Sequence, residues 1–180
     1  MKKQLLVFAL NEEIDPRFKE QEDLQILVTG MGKLNAALML SQRLETIKDL
    51  SHYSIINLGT AGSAKHSVGD LVELIEFYER AVIFPSAKIK VEKQTELASA
   101  IAGSGDLVEP IDTTKPWDCV DMEAFALARV CIEKRLPFVS IKYITDVSEG
   151  NVYKEWKKNL IFAREKLYQY WNDHLKNKSF

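Results

Sequence analysis

Short apolar runs alternate with amphipathic segments along this chain. Six runs are continuous and rich in β-branched residues, which is typical of buried strands; they are residues 5–10, 24–29, 54–58, 71–75, 118–120 and 138–144. Strands that alternate with helices favour parallel pairing with short crossovers. We therefore expect an α/β fold: a single-domain, three-layer α/β/α arrangement around a mixed, largely parallel central sheet.

Three of the intervening segments have apolar residues at helical spacing, so each predicts a helix with one buried stripe. The stripes are Leu34, Ala37, Leu38, Leu44 and Ile47; Met122, Phe125, Ala126 and Val130; and Trp156, Leu160, Ala163, Leu167, Tyr170 and Trp171. The stretch 77–93 is less regular, and we expect one or two further strands there.

Size and charge restrict the class of protein. A chain of 180 residues fits one domain, 1–180. Its 24 Lys and Arg against 26 Asp and Glu give a net charge of −2, which disfavours a nucleic-acid partner.

No apolar run is long enough to span a membrane, and the first ten residues are too short an apolar stretch for a secretion signal. Cys119 and Cys131 stand in ordinary core patterns. We expect a cytoplasmic protein.

Glycines or carboxylates follow five of the apolar runs. In α/β sheets, ligands bind beyond the carboxyl ends of the strands, so these positions predict a binding site. They are Asn11-Glu12-Glu13, Gly30-Met31-Gly32, Gly59-Thr60-Ala61-Gly62-Ser63, Asp121-Met122-Glu123 and Thr145-Asp146.

Each of these segments also has a purely structural interpretation. The glycines of 30–32 are typical of a tight strand-to-helix turn, and Glu12 and Glu13 would favour a helix start. Asp121 and Asp146 are suited to capping a helix or a turn. His52, His66 and His174 are scattered without metal-ligand spacing, so we expect no metal site and no cofactor.

Taken together, the segments resemble a known family. In order, the chain carries VTGMGKLNAA, INLGTAGSAKHSVGDLVE, SGDLVEP and CVDMEAFALARVCIEKRLPFVSIKYITD. They resemble the signature segments of the nucleoside phosphorylase superfamily, and are most similar to 5′-methylthioadenosine/S-adenosylhomocysteine nucleosidases, from residue 5 to about 150. The resemblance implies hydrolysis of the N-glycosidic bond of a purine nucleoside. A futalosine-type nucleosidase, a phosphate-dependent phosphorylase and a non-catalytic purine-binding module remain open.

The resemblance also implies roles for three carboxylates. Asp146 matches the aspartate that protonates N7 of the leaving purine, which is general acid catalysis. Glu13 matches the glutamate that orients and deprotonates the attacking water, although Glu12 is one position away. Glu123 matches the glutamate that accepts hydrogen bonds from the ribose hydroxyls.

Further substrate-binding positions follow from the same resemblance, together with a small-molecule nucleoside substrate and a homodimer. They are Met122 against the sugar, Thr60 beside the water, and Gly62, Val108, Glu109 and Lys142. The chain departs from the family in being several dozen residues shorter, with the loss between Val72 and Ala102. Val108 replaces a frequent aromatic residue, and Lys142 a frequent arginine.

Overall fold

The computed structural model describes residues 3–82, 88–108, 111–147 and 151–180. Within these ranges the chain forms eight strands and three α-helices. The strands are β1 (Lys3–Phe8), β2 (Gln25–Val28), β3 (Tyr53–Ser63), β4 (Leu71–Glu79), β5 (Lys88–Lys90), β6 (Ala98–Ser104), β7 (Cys119–Asp121) and β8 (Phe138–Asp146). The helices are α1 (Lys33–Glu45), α2 (Ala124–Glu133) and α3 (Val152–Tyr170).

All eight strands belong to one mixed sheet. β2, β1, β3 and β8 are parallel neighbours in that order. β8 pairs antiparallel with β4, β4 and β7 each pair parallel with β6, and β7 returns antiparallel to β3. Strands β3, β8, β4, β6 and β7 thus close into a ring, from which β1 with β2 and the antiparallel β5 extend. The α/β class and the mixed sheet are confirmed, while the three layers and the single domain 1–180 stay predictions.

Two hydrophobic clusters hold the helices against the sheet. One contains Leu40 and Leu44 of α1 and Leu127 of α2, together with both free cysteines, as predicted for Cys119 and Cys131. The other joins the last helix to β1 and β8 and contains Ala163, Leu167 and Trp171, members of the predicted third stripe. No helix in the described ranges is both long enough and apolar enough to cross a bilayer.

The predicted buried stripe of α1 is correct only in part, because three of its five members pack against the core and two do not. Ala36, Leu40 and Leu44 face the core, whereas Leu34 is 78% exposed and Leu38 is 50% exposed. The error arises because both four-residue series on this helix are apolar. Spacing alone does not distinguish which of them faces the sheet.

Two strand assignments also need correction. Gly59–Ser63 was expected to follow a strand, but these residues continue β3. β6, with the sequence ASAIAGS, was not predicted, because its small residues lack the β-branched signal. Gly103 has a packing reason: a Cβ there would lie 2.6 Å from the Trp117 ring. The predicted extra strand between 77 and 93 is present as the end of β4 and as β5.

Candidate active site

A cavity of about 680 Å³ lies where β1, β3 and β8 end. The carboxyl ends of these parallel strands meet at one edge, as the sequence predicted. Seven predicted site residues line it: Glu13, Thr60, Gly62, Val108, Met122, Glu123 and Asp146. Lys142 does not line the cavity, and Glu109 lies outside the described residues.

Glu13 is fixed by backbone and hydroxyl donors. It ends a 3-10 turn, Asn11–Glu13, directly after β1, and is 4% exposed. Its Oε1 accepts from the Thr60 amide at 3.1 Å and the Thr60 hydroxyl at 2.9 Å, and its Oε2 accepts from the Leu10 amide at 3.2 Å. Burial raises the pKa of Glu13, although Lys142 and these donors oppose the rise. Glu12, in contrast, is an exposed residue of the cavity wall.

The glycine turn before α1 binds Glu123. Gly30 and Gly32 have φ angles of 82° and 93°, which favour glycine. The amide of Gly32 donates to Glu123 Oε1 at 2.8 Å. Burial, and then the negative charge of Asp121, raise the pKa of Glu123 to about 7. The turn is therefore more than a tight connection, because it holds one of the predicted site carboxylates.

Lys142 is a buried positive charge beneath the cavity. Its side chain is 2% exposed, and Nζ lies 3.1 Å from Asp121 Oδ2. Burial by itself would lower the pKa of Lys142, but Asp121, Glu123 and Glu13 together hold it above its usual value. The predicted substrate-binding residue is thus a partner of the site carboxylates. We expected Lys142 in the cavity wall. The pattern of a strand in the sequence does not show which of its side chains reach a cavity.

Asp121 combines the predicted capping role with contacts to this cluster. Its Oδ2 accepts from the Ala124 amide at 2.8 Å at the start of α2. Its Oδ1 accepts from the Ser104 hydroxyl at 2.5 Å. β6 therefore contributes to the support of Asp121, and through it to the position of Lys142.

Asp146 ends β8 and is 5% exposed. The hydroxyl of Thr145 donates to Asp146 Oδ2 at 2.8 Å. The Asn159 amide of α3 in turn donates to the carbonyl of Thr145 at 2.8 Å. Helix α3 thereby holds the end of β8, where the predicted acid stands.

Two residues of the cavity wall were missed by the sequence analysis. Trp156 was assigned to a core stripe, yet its Nε1 donates to Thr60 Oγ1 at 3.1 Å. Arg80 also lines the cavity, and it donates to the Leu107 carbonyl at 2.5 Å. An aromatic residue in the first turns of a helix that follows a site carboxylate was the available signal for Trp156.

One group of potential metal ligands lies outside the cavity lining. The ligand atoms of His66, Asp118 and Cys119 lie within 4.8 Å of one another, with Cys119 fully buried. His66 Nε2 and Asp118 Oδ2 are 3.9 Å apart. The expectation of no metal site therefore stays a prediction.

Comparisons with known proteins agree with the predicted resemblance. No family model matches the chain. The chain is 27% identical to the 5′-methylthioadenosine/S-adenosylhomocysteine nucleosidase of Baumannia cicadellinicola, over 76% of this chain and 73% of that protein. The S-adenosylhomocysteine nucleosidase of Streptococcus pyogenes has the same fold, with a TM-score of 0.83 at 17% identity, over 99% of this chain and 98% of that one. Futalosine hydrolase of Helicobacter pylori superposes with a TM-score of 0.80 at 16% identity, over 97% and 98%.

The chain thus shares its fold with nucleosidases of known structure. Its curated relatives and structural neighbours include 5′-methylthioadenosine/S-adenosylhomocysteine nucleosidases. The resemblance predicted from the sequence motifs is confirmed.

Proposed function

We propose that this chain hydrolyses the N-glycosidic bond of a purine nucleoside, with 5′-methylthioadenosine or S-adenosylhomocysteine as substrate and adenine as a product. The observation that carries the proposal is the convergence of three buried carboxylates, Glu13, Glu123 and Asp146, on one cavity. Buried acids that share one site raise the free energy of the folded state, and clusters of this kind are common at functional sites. The relatives are nucleosidases, and nucleosidase chemistry gives these carboxylates a role.

Asp146 is the general acid of the proposed reaction. Glycosidic cleavage proceeds through an oxocarbenium-like sugar, and electrons move onto the leaving purine. A carboxylic acid that donates its proton to N7 lowers the barrier for departure of the base. The buried position of Asp146 in the cavity wall, with its Oδ2 fixed by Thr145, supports this role.

Glu13 is the base that takes a proton from the attacking water, since it is buried and fixed by Thr60 while Glu12 is exposed.

Glu123 accepts hydrogen bonds from the ribose hydroxyls, and Met122 packs beside the sugar. Gly62 and Val108 are the proposed contacts of the purine end, and Glu109, which lies outside the described residues, stays a proposed substrate-binding residue. Lys142 acts from below the cavity by stabilising the ionised forms of Glu13 and Glu123.

A futalosine-type substrate is the second candidate. It is supported by the likeness to the Helicobacter pylori futalosine hydrolase, which has the same fold. The reaction at the glycosidic bond would be the same, and only the group beyond the sugar would differ. Both candidate substrates would therefore use the same three carboxylates. They would differ in their contacts with other residues of the cavity wall, such as Met31, Tyr153 and Trp156.

A substrate panel tests both candidates. Purified protein is incubated with 5′-methylthioadenosine, S-adenosylhomocysteine, futalosine, adenosine and inosine, with and without phosphate, and the free base is separated by chromatography. We expect adenine from the two thioether nucleosides at a rate independent of phosphate. A rate that requires phosphate would instead identify a phosphorylase. Tight nucleoside binding with no turnover of any substrate would identify a purine-binding module.

We further propose that the protein is a cytoplasmic homodimer without a nucleic-acid partner. Exposed apolar side chains on α1, on α2 and in the turn before α1 support the dimer, because an exposed apolar patch often marks a protein–protein interface. They are Met31, Leu34, Leu38 and Ile132, each at least 44% exposed. Phe77, in contrast, is fully buried and does not contribute to this exposed surface. Sedimentation at micromolar concentration should give twice the chain mass of 20.5 kDa, and a 20.5 kDa species would exclude the dimer.

A further inference from the structure

Two successive hydrogen bonds connect helix α3 to Glu13, the proposed base. The indole Nε1 of Trp156 donates to Thr60 Oγ1 at 3.1 Å, and Thr60 Oγ1 lies 2.9 Å from Glu13 Oε1. An indole N–H is a donor only, so the Thr60 oxygen is the acceptor in the first contact. The single hydroxyl proton of Thr60 is then directed to Glu13. The order of donation along the chain of contacts is fixed by the indole.

This order determines which oxygen of Glu13 can act on water. An ionised carboxylate has about two acceptor sites on each oxygen. Oε1 accepts both the amide and the hydroxyl of Thr60, so its two sites are filled. Oε2 accepts the Leu10 amide, which leaves one further acceptor site on that oxygen. Oε2 is therefore the atom that would receive a proton.

We propose that Trp156 is a positioning residue for Glu13: it fixes the Thr60 hydroxyl so that Oε1 is saturated and Oε2 acts as the base. This inference rests on the proposed function, which supplies the proton transfer. Trp156 acts on the Glu13 carboxylate through the hydroxyl of Thr60.

The placement of Trp156 suits this role. It stands in the second turn of α3, where its ring is half-buried and stacks on Tyr153 with ring centroids 5.9 Å apart. One helical turn later, Asn159 of the same helix binds the carbonyl of Thr145, whose hydroxyl holds Asp146. Helix α3 thus reaches a threonine beside the proposed base and a threonine beside the proposed acid.

The expected consequence is a shift in the pH dependence of turnover. Without the indole N–H, the Thr60 hydroxyl is no longer confined to Glu13, and Glu13 loses a hydrogen bond that lowers its pKa. For Trp156→Phe, which keeps an aromatic ring, we expect the acidic limb of the kcat/KM profile to move to higher pH. We expect kcat to fall about three- to tenfold, the effect of one lost hydrogen bond, with KM little changed.

The experiment compares this variant with a matched control and with a double variant. Trp171→Phe also loses a buried indole hydrogen bond, from Nε1 to Gln4 Oε1 at 2.9 Å, but far from the cavity. We expect it to lower stability and to leave the pH profile unchanged. Thr60→Val should shift the profile like Trp156→Phe, and the double variant should add no further shift. A wild-type profile for Trp156→Phe, or additive shifts in the double variant, would overturn the proposal.

A second measurement separates this proposal from the proposed function. The chain has three tryptophans, hence three indole N–H cross-peaks in a ¹H–¹⁵N spectrum. The cross-peak lost in Trp156→Phe should shift with pH as Glu13 titrates, and this response should vanish in Glu13→Gln. If it titrates in a protein that releases no base, the contact stands and the proposed function fails. If base is released and this cross-peak ignores Glu13, the positioning role fails.

Discussion

Lys142 Nζ lies 3.1 Å from Asp121 Oδ2, with both side chains almost completely removed from solvent. The negative charges of Glu13 and Glu123 also act on this ammonium group. A single positive charge is therefore the buried counter-charge of three acidic groups. The cluster would carry a net charge of −2 if every acid were ionised, and burial makes such a charge costly. Burial first, and then the negative charge of Asp121, raise the pKa of Glu123 to about 7.

Removal of the ammonium group should destabilise the protein most at alkaline pH. In Lys142→Met, the acids are left without their buried partner, a loss worth about 3 kcal/mol of unfolding free energy when they are ionised. At pH 5 Glu123 and Glu13 take up protons more readily because their pKa values are raised, so the loss should be smaller. Urea unfolding at pH 5 and pH 8 measures the difference. Lys90→Met, which removes an exposed lysine paired with Glu76, serves as the control and should cost less than about 1 kcal/mol. An equal loss at both pH values would contradict this charge balance.

Replacement of the proposed acid should affect turnover and leave the fold intact. Asp146→Asn keeps the size of the side chain but cannot donate a carboxylic proton, so kcat should fall by about 10²–10⁴. KM and the melting temperature should change little, because the cavity shape is retained. Asp112→Asn, an exposed residue away from the cavity, should behave as wild type. An Asp146→Asn enzyme of near-normal rate would show that another group protonates the base.

The raised pKa of Glu123 predicts the sign of a pH effect on stability. A carboxyl whose pKa rises on folding, here from 4.5 to about 7, binds its proton more tightly in the native state. Its contribution is complete below the unfolded pKa and is lost as the pH rises through 7. The loss amounts to about 3 kcal/mol between pH 4.5 and 7. Glu123→Gln should therefore gain about that much stability relative to wild type as the pH increases from 5 to 8.

Urea unfolding of both proteins at pH 5 and pH 8 provides this comparison. Glu12→Gln is the matched control, because Glu12 is exposed. Its unfolding free energy should follow the wild-type pH dependence. Parallel curves for wild type and Glu123→Gln would show that Glu123 titrates normally.

A methyl group at position 59 should disturb the proposed base. A Cβ built on Gly59 lies 3.3 Å from Glu13 Oε1 and 3.3 Å from Lys142 Nζ, tighter than ordinary van der Waals contact. Glu13 would have to move, and small displacements of a catalytic group reduce rates strongly. We expect Gly59→Ala to lower kcat about tenfold while circular dichroism shows an unchanged fold. A wild-type rate would mean that the carboxylate tolerates this displacement.

The convergence of Glu13 and Asp146 could be predicted from sequence because it depends on one rule, whereas Glu123 follows β7, which runs antiparallel to β3. The carboxyl ends of parallel strands meet at one edge, whatever the detailed packing. The strand patterns around these residues were clear enough to apply the rule. Gly59–Ser63 was predicted as part of the site for the same reason, although it proved to be strand and not loop.

The depth and direction of individual side chains could not be predicted. Trp156 fits a core stripe with Leu160 and Ala163, and only the packing of α3 over β3 turns its indole to Thr60. Lys142 alternates within an apolar run, and its burial depends on acids that are distant in sequence. The ring closure through β6 was missed because a strand of small residues lacks a strong pattern. These features depend on tertiary contacts, which local spacing does not encode.

The central claim is hydrolysis of a thioether nucleoside by water activated at Glu13. Its most direct test is the initial rate of adenine release from 5′-methylthioadenosine in phosphate-free buffer by wild type, Glu13→Gln and Glu12→Gln. The account predicts release by wild type and Glu12→Gln, and a rate at least about a hundredfold lower for Glu13→Gln. No release by folded wild-type protein, or equal rates for wild type and Glu13→Gln, would contradict it.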